Sequence, residues 1–202
     1  MKRVTLAALV VIAPALAAQR FEVAFLGGAY QQTPSASVGD RGINCYDSPC
    51  PTNYRMSQRS TSMIGGRVSA EFGSRVGLDL IWQRAITAVH VAYTDGPGGA
   101  PAGESDGDGS VEILMLQPHL RQRFSDEVQA VVAAGPAIAR ISPDIGYPAR
   151  PRNGVALSFS LQARLARALT FDARFSNTFV PSRSEPHSHW FLGMGVGWVV
   201  NP

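Results

Sequence analysis

The chain has 202 residues, two cysteines and a formal charge of +3, with 16% of its residues charged. That length suits one domain, and no basic stripe interleaved with aromatics appears, so nucleic acid is excluded as a partner. Beyond the N-terminal segment no apolar run reaches the roughly 18 residues that a transmembrane helix needs.

Lys2 and Arg3 precede a short apolar run, residues 4–12, and Ala15-Leu16-Ala17 fits a small-residue cleavage site. This predicts an export signal over residues 1–18 and a mature domain over 19–202. No cysteine lies near the cut, so a lipid anchor is not expected. In an oxidising compartment Cys45 and Cys50 are expected to form one small-loop disulfide. No His lies close enough in sequence to make them a metal pair.

Strands are predicted over residues 20–30, 62–72, 75–91, 111–124, 127–141, 154–165, 169–176 and 189–200, because apolar residues alternate there with polar or small ones. In the first, Phe21, Val23 and Phe25 oppose Glu22, Ala24 and Gly28. In the sixth, Val155, Leu157, Phe159 and Leu161 oppose Ala156, Ser158, Ser160 and Gln162. The alternation blurs near 84–88, which suggests a bulge or a membrane boundary. Pro118 and Pro136 fall inside predicted strands although neither can donate to a ladder. The last strand, HWFLGMGVGWVV, has Trp190, Leu192, Met194, Val196 and Trp198 on one face and Gly193, Gly195 and Gly197 on the other.

The connections run long, short, long, short, long, short, long. Stretches 31–60, 93–109, 142–153 and 181–188 are polar loops; Gly73-Ser74, Ser125-Asp126 and Ala166-Arg167 are tight turns. Eight antiparallel strands with that punctuation predict an up-and-down transmembrane β-barrel with long outer loops and both termini on the inner side. Trp190 and Trp198, eight residues apart, are separated by about 20 Å in height if the strand tilts by about 40°. With Trp82 they are expected to form an aromatic girdle.

In a membrane barrel the polar faces point inward, so Glu22, Arg67, Glu71, Asp79, Arg121, Arg123, Arg164, Asp172 and Arg174 are expected to form a paired lumen network. Eight strands leave room only for side chains, which argues against an open pore. The water-soluble alternative, a lipocalin-like periplasmic binding barrel, requires the opposite orientation.

This layout, together with the terminal FLGMGVGW run, resembles the small eight-stranded outer-membrane barrels, the class of the OmpA membrane domain and OmpX. The resemblance spans residues 20–200. It implies insertion by the outer-membrane assembly machinery, in a Gram-negative-type cell, and no single activity. The chain departs from such families by ending on Val199-Val200-Asn201-Pro202 rather than on an aromatic residue.

Chemistry is sparse. Ser176 with His187 and His189 resembles the Ser/His pair of outer-membrane lipid A deacylases, but Arg174 stands where that family carries its His. Residues 104–109 place acids at alternate positions before a glycine, oxygen ligands suited to Ca²⁺, yet Met115 replaces the Glu of an EF-hand loop. His90 and His119 have no evident partner. Arg150, Arg152 and Arg183 suit lipopolysaccharide phosphates. No cofactor or metal is expected. The reading is a structural or surface-binding barrel acting through four outer loops on lipid, lipopolysaccharide or an extracellular ligand; the alternative activity is modification of lipid A.

Overall fold

Alternating side chains oblige the backbone to pair in strands, and every long element of the computed structural model is one. It describes residues 20–33, 37–39, 53–58, 61–94, 103–143, 150–181 and 187–200. The export signal, Cys45, Cys50 and Arg183 lie outside these. The strands are β1 (Arg20–Thr33), β2 (Ser37–Gly39), β3 (Asn53–Gln58), β4 (Thr61–Phe72), β5 (Val76–Thr94), β6 (Gly103–Arg123), β7 (Val128–Pro143), β8 (Arg150–Ala166), β9 (Leu169–Val180) and β10 (His187–Val199).

Eight of them close in the order β5-β4-β1-β10-β9-β8-β7-β6, with β6 returning to β5. All the pairings are antiparallel, as an up-and-down barrel requires. Closure leaves no strand edge in the wall. β3 pairs with the far half of β5, and β2 with β3, so a short flap extends the wall there.

Strands reach further than the sequence pattern predicts. Parts of the expected 31–60 and 142–153 loops are strand, and residues 103–109 pair with β5 rather than forming a loop. Alternation is hard to read there because polar residues occupy both faces beyond the apolar band. No bulge interrupts β5: its ladder with β6 is unbroken from Val76 to Tyr93. The irregularity falls on its other neighbour, where five residues separate Gln58 from Met63 against four between Val89 and Ala85.

The ladder also fixes the tilt. Paired residues lead from Arg20 through Glu71, Gly77, His119, Ala133, Ser158, Ser176 and Phe191 to Tyr30, a stagger of ten residues from 20 to 30. Eight strands with that stagger tilt by about 40° and enclose a space just wide enough for side chains.

Gly28 and Gly193 face each other across β1 and β10. A Cβ on either would strike the backbone of the other strand, whereas one on Gly27 meets nothing. The glycine face of β10 therefore lets the wall bend sharply there.

Pro118 and Pro136 sit on neighbouring strands at the one break in the β6–β7 ladder, between Met115↔Ala137 and His119↔Ala133. Arg121 N donates to Arg75 O, and Phe124 N to Val128 O. Odd residues of β6 thus bond toward β5 and even ones toward β7, so both prolines withhold their donors from the same seam. Gly135 keeps that seam close, its Cα lying where any side chain would meet Leu116 O. The break costs two ladder bonds but leaves the register unchanged.

Gly193→Val is expected to abolish the compact, faster-migrating band of unheated sample on electrophoresis, and Gly27→Ala to retain it. Pro136→Val restores one donor and is expected to raise the unfolding free energy by about 1 kcal/mol, measured by urea titration in lipid vesicles.

Candidate functional site

Two layers of side chains fill the barrel. Toward the short turns the inward positions are charged. Arg67 pairs with Glu22, and its guanidinium also lies 3.6 Å from Asp79 and 3.4 Å from Asp172. Arg174 lies 3.4 Å from Asp79 and 3.3 Å from Asp172. Arg121 meets Glu71 at 2.7 Å, and Arg20 lies 3.6 Å from Glu22 and 3.8 Å from Glu71. His119 Nδ1 is 3.1 Å from Asp79 Oδ1. The carboxylates Glu22, Glu71, Asp79 and Asp172 are thus matched one for one by Arg20, Arg67, Arg121 and Arg174. That balance is what a low-dielectric interior demands, since a buried charge without a partner is costly.

Toward the long connections the inward positions turn apolar: Leu26, Met63, Ile81, Val111, Ile113, Met115 and Phe191 are buried together. Tyr30 Oη and His189 Nδ1 are 2.8 Å apart within this layer, with their rings stacked. Ser158 donates to Gln117 Oε1 at the junction of the layers, at 2.8 Å. Buried Gln83, Thr87, Ser176 and Thr178 lie among these apolar side chains.

Among the residues expected in the lumen network, Glu22, Arg67, Glu71, Asp79, Arg121, Asp172 and Arg174 meet inside the barrel. Arg123 and Arg164 do not. They keep inward parity but lie at the turn ends of β6 and β8, exposed, where they line an open cavity of about 290 Å³ with Arg20, Gln129, Gln162 and Thr170. The short turns end the wall before these two side chains can reach the plug. His119 and Arg20 were not expected to belong to the network. The parity of His119 with Arg121 pointed inward, but its partner emerges only from the β5–β6 register, which sets Asp79 beside it.

The outer face carries the apolar side chains. Phe25 is 64% exposed, Leu192 65% and Trp198 61%, while Arg67 is 2% and Asp79 0% exposed. Trp82 and Trp190 also face outward, and Trp190 packs against Phe175 at 5.4 Å. The stagger puts Trp190 about 20 Å above Trp198 along the barrel axis. This inside-out partition does not favour the water-soluble alternative, because a lipocalin-like barrel buries its apolar face.

Ser176 and His189 point into the interior, each 2% exposed, not toward lipid. A lipid-side pocket around them, which deacylase chemistry requires, is therefore not formed. Residues 104–108 are strand, not the loop that a Ca²⁺ site of that spacing requires, and among the described residues no cluster of acids and histidines is arranged to hold a metal.

The fold is that of known outer-membrane barrels. The outer membrane protein OprG from Pseudomonas aeruginosa superposes with a TM-score of 0.59 at 12% identity, over 90% of this chain and 96% of that one. Neisserial surface protein A gives 0.59 at 10% identity, over 89% and 96%. The N-terminal β-barrel domain of Pseudomonas aeruginosa OprF gives 0.53 at 12%, over 90% and 98%. No protein-family model and no curated protein sequence matches the chain. The class of small eight-stranded barrels like OmpA and OmpX is thereby shown at the level of fold. A closed barrel with oily side chains outside has only a bilayer in which to put them, and such barrels span outer membranes. The OprG and OprF structures are of outer-membrane proteins of a Gram-negative bacterium.

Arg67→Met removes the cation shared by Glu22, Asp79 and Asp172, leaving four carboxylates to three arginines, and is expected to lower the unfolding free energy by about 3–5 kcal/mol. Arg123→Gln, outside the plug, should stay within about 0.5 kcal/mol of the parent. Urea unfolding followed by tryptophan fluorescence in vesicles measures both.

Proposed function

We propose that this chain is a sealed, non-enzymatic barrel that works through its lipid-facing wall and its four outer connections. The observation that carries the proposal is the filled interior. Four arginines and four carboxylates neutralise one another at one level, and apolar side chains pack above them. A solute crossing it would have to break the ion pairs and open the apolar layer together, so the barrel conducts no general solute. The role is structural, or the binding of a ligand at the outer surface. Lipid, lipopolysaccharide and the outer-membrane assembly machinery are its partners in this reading. Arg152, exposed near the outer end of β8, is one contact available to a lipid phosphate.

The same packing supports a non-hydrolytic role, since the Ser176 hydroxyl and the His189 ring are enclosed by the wall that positions them. Reconstitution into planar bilayers tests the proposal. The parent chain is expected to give no discrete conductance steps, and ohmic steps of reproducible size would sink the sealed reading. Unheated sample from an outer-membrane fraction should migrate ahead of boiled sample.

A further inference from the structure

Among the outward strand residues whose side chains are described, charge is clustered on three neighbouring strands. Arg84 on β5, Glu112 on β6 and Arg140 on β7 stand side by side on neighbouring strands, with Glu112 opposite both arginines. Arg84 Nε lies 3.7 Å from Glu112 Oε1, with side-chain exposures of 47% and 32%. Arg140 is exposed as well.

Their height is informative. The ten-residue stagger lifts these three about 24 to 30 Å above Arg20 along the barrel axis. An apolar band on such barrels is about 25 Å tall. The row therefore sits at the outer rim of the band, at the level of outer-leaflet headgroups. Immediately below it runs a second row, Trp82, Leu114 and Ile138, again paired across the same strands and each more than two-fifths exposed.

A cationic row above an aromatic and aliphatic row is the complement of an amphiphile with a negative head and several acyl chains. The two arginines are about 10 Å apart at the backbone, one strand spacing on each side of Glu112. Their side chains are long enough to converge on a tetrahedral anion between them, and guanidinium binds phosphate through two parallel hydrogen bonds. Glu112 steadies Arg84 and keeps the two like charges from repelling, while the row retains a net positive charge.

Resting on the membrane reading above, we propose that this rim is a binding site for a phosphorylated glycolipid of the outer leaflet. Its phosphate sits on Arg84 and Arg140, and its acyl chains lie on Trp82, Leu114 and Ile138. The sequence directed attention instead to Arg150, Arg152 and Arg183, because the blurred alternation near residue 84 hid the fact that Arg84 faces outward.

The full chain, folded in detergent micelles, is titrated with diphosphoryl lipid A, with dephosphorylated lipid A, with phosphatidylglycerol and with inorganic phosphate. Binding of diphosphoryl lipid A is expected to be at least tenfold tighter than binding of either other lipid. R84Q/R140Q should lose at least tenfold while keeping its heat-dependent mobility shift, and Ile138→Asn should weaken the same binding several-fold. Equal affinity of parent and R84Q/R140Q overturns the site. So does phosphatidylglycerol binding as tightly, which reduces it to a generic anionic surface, or displacement of lipid A by millimolar phosphate, which makes it a small-anion site. A chain that stays soluble and unshifted on boiling removes the membrane reading first. A folded, micelle-inserted chain without the preference removes this inference alone.

Discussion

A barrel of eight strands staggered by ten residues has an interior little wider than its own side chains. Every inward residue must then be satisfied by another inward residue. That constraint explains the one-for-one match of Glu22, Glu71, Asp79 and Asp172 with Arg20, Arg67, Arg121 and Arg174. The rest of the interior is uncharged apart from His119 and His189, a mixture of apolar side chains with buried Gln, Ser and Thr. A ninth charge without a counterpart would have to sit at the mouth, and Arg123 and Arg164 do so.

The outer wall answers to a different solvent. Lipid imposes no hydrogen-bonding demand on side chains but forbids unpaired backbone, so the wall must close and its outward positions must be apolar. Pro118 and Pro136 run against that demand, since each leaves a carbonyl of the facing strand without its ladder donor. Two missing donors on one seam are affordable because Gly135 holds β6 and β7 in contact and the ladders to β5 and β8 remain whole. The same logic makes Arg84, Glu112 and Arg140 conspicuous. Charge on the outer wall is tolerated where the bilayer gives way to headgroups.

The two-layer interior links fold to function. In the proposed reading, a lumen devoted to mutual neutralisation and side-chain packing leaves the chain to act through its surfaces. Ser176 and His189, the one nucleophile arrangement suggested by the residues themselves, lie on the interior side of the wall rather than on its lipid side.

Period-two alternation determined most of the architecture without coordinates. Residues such as Phe159 against Ser158, or Trp198 against Gly197, can satisfy a strand only with one face wet or polar and the other oily, and the long-short punctuation closes eight of them into a barrel. Seven of the buried charges were legible because parity assigns them to a face. Three things needed tertiary structure. Alternation is symmetric, so only closure shows which face is inside. Register, which brings His119 to Asp79 and Arg84 to Glu112, is set by ladders between strands distant in sequence. Strand ends beyond the apolar band carry no alternation, so the reach of β5 and β6, and the exposure of Arg123 and Arg164, follow from where the wall stops.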